Sequence, residues 1–299
     1  MAQRERASMI AELTPPFVVH RPRAWTAPFV FCSPHSGRIY PRALLEASRL
    51  DASALRRSED CYVDELFAGV AEFGAPLLAA AFPRAYVDVN REPYELDPEL
   101  FAEPLPPFAN VHTMRVIGGL GTIARVVSDS EEIYHEALPL AAAFERIDRL
   151  YRPFHAALWE LLTEAHTRFG YVVLVDCHSM PSASVSQPAA ARPDFVIGDR
   201  FGSSCDVRLT RELRSIIREA GYHAQLNRPY AGGYITEHYG RPLEGFHAIQ
   251  IEVNRGLYLN EHTFERAPHF KGVAEDIAVI AGRLIDRLPG AIELPDAAA

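Results

Sequence analysis

The sequence predicts one α/β domain built on a mostly parallel sheet, and three observations carry that expectation. Phe29-Val30-Phe31-Cys32 and Tyr171-Val172-Val173-Leu174-Val175 are short, wholly apolar runs of strand length, the pattern of strands buried on both faces. Stretches with apolar residues spaced by threes and fours alternate with such runs for most of the chain. Histidine and carboxylate residues follow the apolar runs, where ligand sites of open α/β sheets lie, beyond the carboxyl ends of the strands.

Composition sets the bounds. At 299 residues the chain is long enough for a substantial core. With 48% hydrophobic and 23% charged residues it has the ordinary globular balance, which excludes a disordered or fibrous class. A net charge of -9 and a pI near 5.7 argue against nucleic acid as the partner. A small anionic substrate remains compatible with that total, since a few local arginines override it. No apolar run approaches the ~20 residues of a membrane span, so no membrane partner is expected.

Taken in order, the first strand is 29–32. Ser58 is a candidate N-cap for a helix in which Val63, Leu66, Phe67, Val70 and Phe73 hold helical spacing until Gly74 stops it. Residues 77–80 and 86–89 read as short strands around Pro83-Arg84. The prolines of 96–107 forbid regular structure there, which marks a loop. A long helix is expected through Phe144, Ile147, Tyr151, Phe154, Leu158, Leu161 and Ala165, kinked or split by Pro153. The strand that ends at Asp176 follows, then a Ser/Ala/Pro-rich mobile loop over 181–193. Residues 194–197 and 247–253 read as further strands. Helices are expected over 207–220, with Gly221 after the end, and over 273–288. The chain is read as a single domain over 1–299, with 1–14 and 295–299 as frayed tails.

Four cysteines, Cys32, Cys61, Cys177 and Cys205, are scattered without a CxxC pair. The first fourteen residues are polar and mixed in charge, unlike a secretory leader. The cysteines are therefore read as reduced, buried thiols of a cytoplasmic protein.

Among twelve histidines, His35 and His178 share a context: each follows a strand, and each precedes a serine. Asp176, two residues before His178, is placed to orient its ring, as metal-bound imidazoles usually require. Two imidazoles and a carboxylate from separate strand ends are the parts of a hydrolytic metal site. For the carboxylate, Glu59 and Asp60 both fall at the expected start of the Ser58 helix, where the plain role of an acid is to favour a helix amino terminus. Asp60 is the choice, with Glu59 left open. Arg84, Asn90 and Arg91 form a group near a strand end; a guanidinium fork beside an amide suits a carboxylate. The alternative for Arg91 is a salt bridge to Asp88 or Glu92. Glu252 in Gln250-Ile251-Glu252 is awkward in a strand unless it is used, although pairing with Arg255 competes.

Six blocks then resemble one family. Pro34-His35-Ser36-Gly37, Glu59-Asp60-Cys61-Tyr62-Val63-Asp64-Glu65-Leu66, Val87-Asp88-Val89-Asn90-Arg91, Asp176-Cys177-His178-Ser179, Gly232-Gly233-Tyr234-Ile235-Thr236 and Gln250-Ile251-Glu252 occur in the order of the N-formylglutamate amidohydrolases. Their Asp-x-Asn-Arg, Asp-x-His and Ile-Glu-Val elements are more distantly similar to those of aspartoacylases and zinc carboxypeptidases. The resemblance implies a phosphorylase/hydrolase-like α/β fold, a three-layer α/β/α sandwich with a mixed, mostly parallel central sheet. It implies Zn²⁺ at His35, Asp60 and His178, and Glu252 as the general base toward a metal-activated water. Arg84 would polarise the scissile carbonyl, Asn90 and Arg91 would hold the substrate carboxylate, and Gly232 and Gly233 would let backbone approach it. One departure stands out: the distant relatives place a ligand three residues after the first histidine, and Arg38 occupies that position. The expected activity is hydrolysis of an amide on an N-acyl amino acid such as N-formylglutamate. The alternatives are another N-acyl amino acid, a peptide with a free carboxyl end, or an inactive zinc-binding relative. Oligomeric state is not legible.

Overall fold

The structure, a computed structural model, describes residues 12–127, 131–184 and 192–288. Residues 1–11 and 295–299 of the expected tails, and residues 185–191 of the expected mobile loop, lie outside the described residues; Leu13, read as part of the frayed tail, is buried instead. Seven strands form one sheet: β1 (Phe17–His20), β2 (Phe29–Ser33), β3 (Leu77–Ala80), β4 (Val172–Met180), β5 (Phe195–Gly198), β6 (Ala224–Leu226) and β7 (Phe246–Asn254). Their order is β1-β3-β2-β4-β7-β5-β6. The sheet is mixed: β2, β4 and β7 pair in parallel, β5 is antiparallel to β7, and β6 is parallel to β5. The fold is therefore of the α/β class.

The described residues form two compact units, each discontinuous in sequence. One holds 12–18, 34–61, 79–127 and 131–157; the other holds 19–33, 62–78, 158–184 and 192–288.

In the second unit the side-chain period of two sorts the strand residues onto opposite faces. Phe31, Phe195 and Ile251 lie with Leu213, Ile217 and Ile277, so the helices Val207–Glu219 and Phe270–Arg287 cover that face. On the other face, Trp159 stacks on Phe246 with ring centroids 5.4 Å apart, and the short helix Tyr234–Tyr239 donates from Thr236 Oγ1 to Asp176 at 3.4 Å. Helices on both faces of a sheet make three layers. Strands β4 and β7 are longer than their apolar runs, ending at Met180 and Asn254 rather than at Asp176 and Val253. They pair with each other over nine residues, so ladder hydrogen bonds hold the polar carboxyl-terminal halves extended.

The first unit carries fewer regular elements. Its helix Leu140–Arg146 continues through a π turn, Ile147–Tyr151, directly before Pro153, which is where the sequence places a disruption. Residues 86–89 are not the expected strand. Tyr86 N–H closes a turn on Pro83 O at 2.9 Å, and the Asp88 carboxylate accepts from Asn90 N–H at 2.9 Å, so local side-chain bonding outcompetes the ladder.

The expected helix from Ser58 is also broken. Residues Arg56–Ser58 form a 3₁₀ turn, Val63–Leu66 one α turn, and Ala68–Phe73 another 3₁₀ turn, stopped by Gly74 at φ 78°. Asp60 thus precedes the α turn instead of starting it. Several strands and helices were not legible in the sequence, among them β1, β6 and Tyr234–Tyr239, because each is too short to set up a period. Among the described residues, no helix is long and apolar enough to cross a membrane.

Candidate active site

Strand β2 delivers the chain to Pro34-His35, and the glycine two residues on has a mechanical role. A Cβ on Gly37 would sit 2.0 Å from Phe82 O, so only glycine lets the two backbones pass. His35 is buried, and its Nε2 meets Asp88 Oδ1 at 2.7 Å. Asp60 is tied to the same turn by its backbone N–H on His35 O at 3.0 Å, with its Oδ2 3.5 Å from His35 Nδ1. Glu59, the alternative acid, is spent elsewhere: it accepts from Arg56 Nε and from Tyr40 O–H, both at 3.0 Å.

Asp88 is a hub that the sequence shows only as a partner for Arg91. Its Oδ1 takes His35 and Asn90 N–H, and its Oδ2 takes Arg84 Nη2 at 2.8 Å, with Arg91 Nη2 at 3.6 Å. Burial alone would raise its pKa, but Arg84, then Arg91, then His35 outweigh it and hold the carboxyl well below the usual range. The Asp-x-Asn spacing, which closes an Asx turn, was the available signal for that role. Arg91 is nearly buried, with Nε on Leu120 O at 3.0 Å and Nη1 on Asn90 O at 2.8 Å. Burial lowers its pKa to about 10; Asp88 opposes that, while Arg84 and Arg115 add to it. Arg115 is a third guanidinium near this group that the sequence reading passed over.

In β4 the alternation puts Asp176 and His178 on one face and Cys177 on the other. His178 Nε2 lies 3.0 Å from Asp176 Oδ1, the contact expected from their i, i+2 spacing. Pairing register then does the rest: Asp176 stands beside Gln250, and His178 beside Glu252, on the same face of the sheet. Glu252 Oε1 accepts from Gln250 Nε2 at 2.8 Å, and Gln250 Oε1 accepts from Gly233 N–H at 2.8 Å. Gly232, at φ 122°, gives the turn a conformation closed to other residues. Arg255, weighed above as a partner for Glu252, donates from Nε to Ser179 Oγ at 3.2 Å. All four cysteines are buried thiols, and burial pushes the Cys32 and Cys177 pKa values well up, so neither has the character of a nucleophile.

His35, Asp60 and His178 each offer one ligand atom, all within 4.8 Å of one another and all three residues buried. Bonds of ~2.0–2.2 Å to zinc place neighbouring tetrahedral N and O donors roughly 3.3–3.6 Å apart. The 3.5 Å from His35 Nδ1 to Asp60 Oδ2 fits that spacing, and both histidines have a carboxylate at one ring nitrogen, so the donor set suits a divalent metal.

A mixed-sheet α/β fold that carries buried imidazoles and carboxylates with guanidinium groups nearby has the parts of a hydrolytic enzyme. The family model described as N-formylglutamate amidohydrolase matches residues 27–259. An N-formylglutamate deformylase of Pseudomonas putida is 28% identical over 264 residues, 87% of this chain and 92% of that protein. Its Pseudomonas aeruginosa counterpart is 29% identical over 238 residues, 78% of this chain and 83% of its own. The crystal structure of N-formylglutamate amidohydrolase from Ralstonia eutropha JMP134 superposes with a TM-score of 0.86 at 35% identity, covering 93% of this chain and 99% of that one. The chain belongs to the N-formylglutamate amidohydrolase family and is an enzyme that hydrolyses C–N amide bonds.

Proposed function

We propose that this chain hydrolyses N-formyl-L-glutamate, or a closely related N-acyl amino acid, to a carboxylic acid and the free amino acid, with Zn²⁺ held by His35, Asp60 and His178. The observation that carries the reading is the buried cluster of those three residues within a chain of this family. A bound divalent metal would supply a Lewis acid and bring the pKa of a bound water down to ~7.

The chain's own residues supply the remainder. Asp88 accepts the Nε2–H of His35, which assigns that tautomer and turns Nδ1 toward Asp60; Asp176 Oδ1 stands 3.0 Å from His178 Nε2, a carboxylate behind that ring. Glu252, fixed beside His178 by register, takes the proton from the attacking water and passes it to the leaving nitrogen. Arg84, partly exposed beyond its bond to Asp88, faces the developing negative charge on the carbonyl oxygen. Asn90 and the outer edge of Arg91 hold the substrate carboxylate, and the Gly232-Gly233 turn offers backbone close to it.

We read the chain as one catalytic domain, because the family match runs unbroken from 27 to 259. Four buried thiols fit a reducing, cytoplasmic setting. The partner is a small anion, drawn in by local arginines against the overall negative charge; nucleic acid is not a partner in this reading.

A panel of N-formyl-L-glutamate, its amidated analogue and other N-acyl amino acids, run on the normal chain and on Arg91→Lys, tests the substrate class. Formate release should be fastest from N-formyl-L-glutamate. Arg91→Lys should raise KM about 10- to 100-fold, the loss of a charge-assisted hydrogen bond of ~1.5–3 kcal/mol, with metal content unchanged. The amidated analogue should lose little more on the variant, since both changes remove one contact. If the two losses add, Arg91 serves the Asp88 loop and not the substrate.

A further inference from the structure

We infer that Gln250 is a positioning residue: it holds the Glu252 carboxylate in place and couples it to the Gly232-Gly233 turn. The inference deepens the proposed function and rests on Glu252 acting there as the base. It starts from an oddity of β7, a neutral amide buried in the middle of a central strand, where an unbonded amide is costly. Both ends of that amide are used, and the chain of donors fixes its sense. Gly233 N–H can only donate, so Oε1 must face it at 2.8 Å; Nε2 then faces Glu252 Oε1, also at 2.8 Å. An amide N–H aimed at a carboxylate favours the anion, which is the form a general base needs.

The fold is shaped to permit the link. Gly198 stands beside Gln250 on the neighbouring strand, and a Cβ there would be 2.7 Å from both Ala231 C and Gly232 N. Its bareness lets the 231–233 backbone descend onto the sheet far enough for Gly233 to reach Gln250. A turn that shifts as it binds substrate would therefore pull on the base through a single side chain.

Two variants separate this role from mere packing. Gln250→Met is close in volume but can bond neither neighbour; it should lower kcat about 10- to 100-fold, raise KM, and leave metal content normal. Gln250→Glu keeps an acceptor for Gly233 but sets a second carboxylate against Glu252 in place of the amide donor; with both groups ionised, at alkaline pH, it should lower kcat at least as far with KM unchanged. In a Glu252→Gln background, Gln250→Met should cost less than about threefold in kcat, since both changes then act on one group. If that background loses activity as proposed but Gln250→Met costs its full factor on top, or if Gln250→Glu keeps its kcat even at alkaline pH, Gln250 only packs the strand and the inference fails. A fully active Glu252→Gln overturns the base assignment itself, and the inference with it. Melting temperature and metal content, read on every variant, identify any that merely misfolds; for those, Gly198→Ala, which moves the same turn from the other side, must show the same non-additivity.

Discussion

Replacing Glu252 with glutamine should cut kcat by about 10²–10⁴, the range typical of removing acid–base assistance, while metal content and KM stay near normal. The expectation follows from the pairing register. Strands β4 and β7 run parallel with His178 opposite Glu252, so the carboxylate is set beside a candidate metal ligand by backbone hydrogen bonds and not by a flexible loop. Glutamine keeps the volume and an oxygen for Gln250, so the sheet should not change. Steady-state kinetics with metal analysis decides the case. A variant that loses its metal would make Glu252 a ligand and demote Asp60; one that stays fully active would remove the general base from the mechanism.

The second large effect is expected at His178. Alanine there removes one of the three candidate protein donors and leaves Asp176, also buried, facing a cavity. Metal affinity should fall by more than the 10–100-fold typical of losing an outer partner of a ligand, and hydrolysis should fall with it. Asp176→Asn, which keeps the shape but loses the charge behind the ring, should land in that milder range. Equilibrium dialysis with metal quantification on the two variants gives the ranking. Equal, normal metal content in both would place the metal away from His178.

How much of this was legible in the sequence depends on range. The apolar runs at 29–32 and 171–175 and the amphipathic helices near 207–220 and 273–288 are set by local periodicity, and each is present with its end shifted by a few residues. The polar end of β4 was not legible as strand, because pairing with β7, about 70 residues on, holds it extended, whereas β7 itself was read to within a residue of its ends. The opposite failure at 86–89 has a local cause, the Asp88 side chain capturing backbone that a β-rich composition would have sent into a ladder.

For the site, His35 and His178 stood out by position, Asp60 was chosen with Glu59 left open, and the structure gathers the two histidines with Asp60. What escaped were the residues that hold them. Asp88 showed only as a partner for Arg91, and Thr236 and Gln250 look ordinary in sequence; the contacts of Thr236 with Asp176 and of Gln250 with Gly233 exist only once a helix or a turn is placed against the sheet. Glu59 and Asp60 could not be told apart by spacing, and it took Arg56 and Tyr40, folded onto Glu59, to distinguish them.

The central claim is metal-dependent hydrolysis of an N-formyl amino acid, and one measurement reaches it most directly: formate release from N-formyl-L-glutamate by the chelator-stripped chain as Zn²⁺ is titrated back. The account predicts no turnover in the stripped protein and recovery that rises in step with bound metal to saturate at one ion per chain. Full turnover in protein shown to be free of metal, or saturation with metal and no formate released, would contradict it.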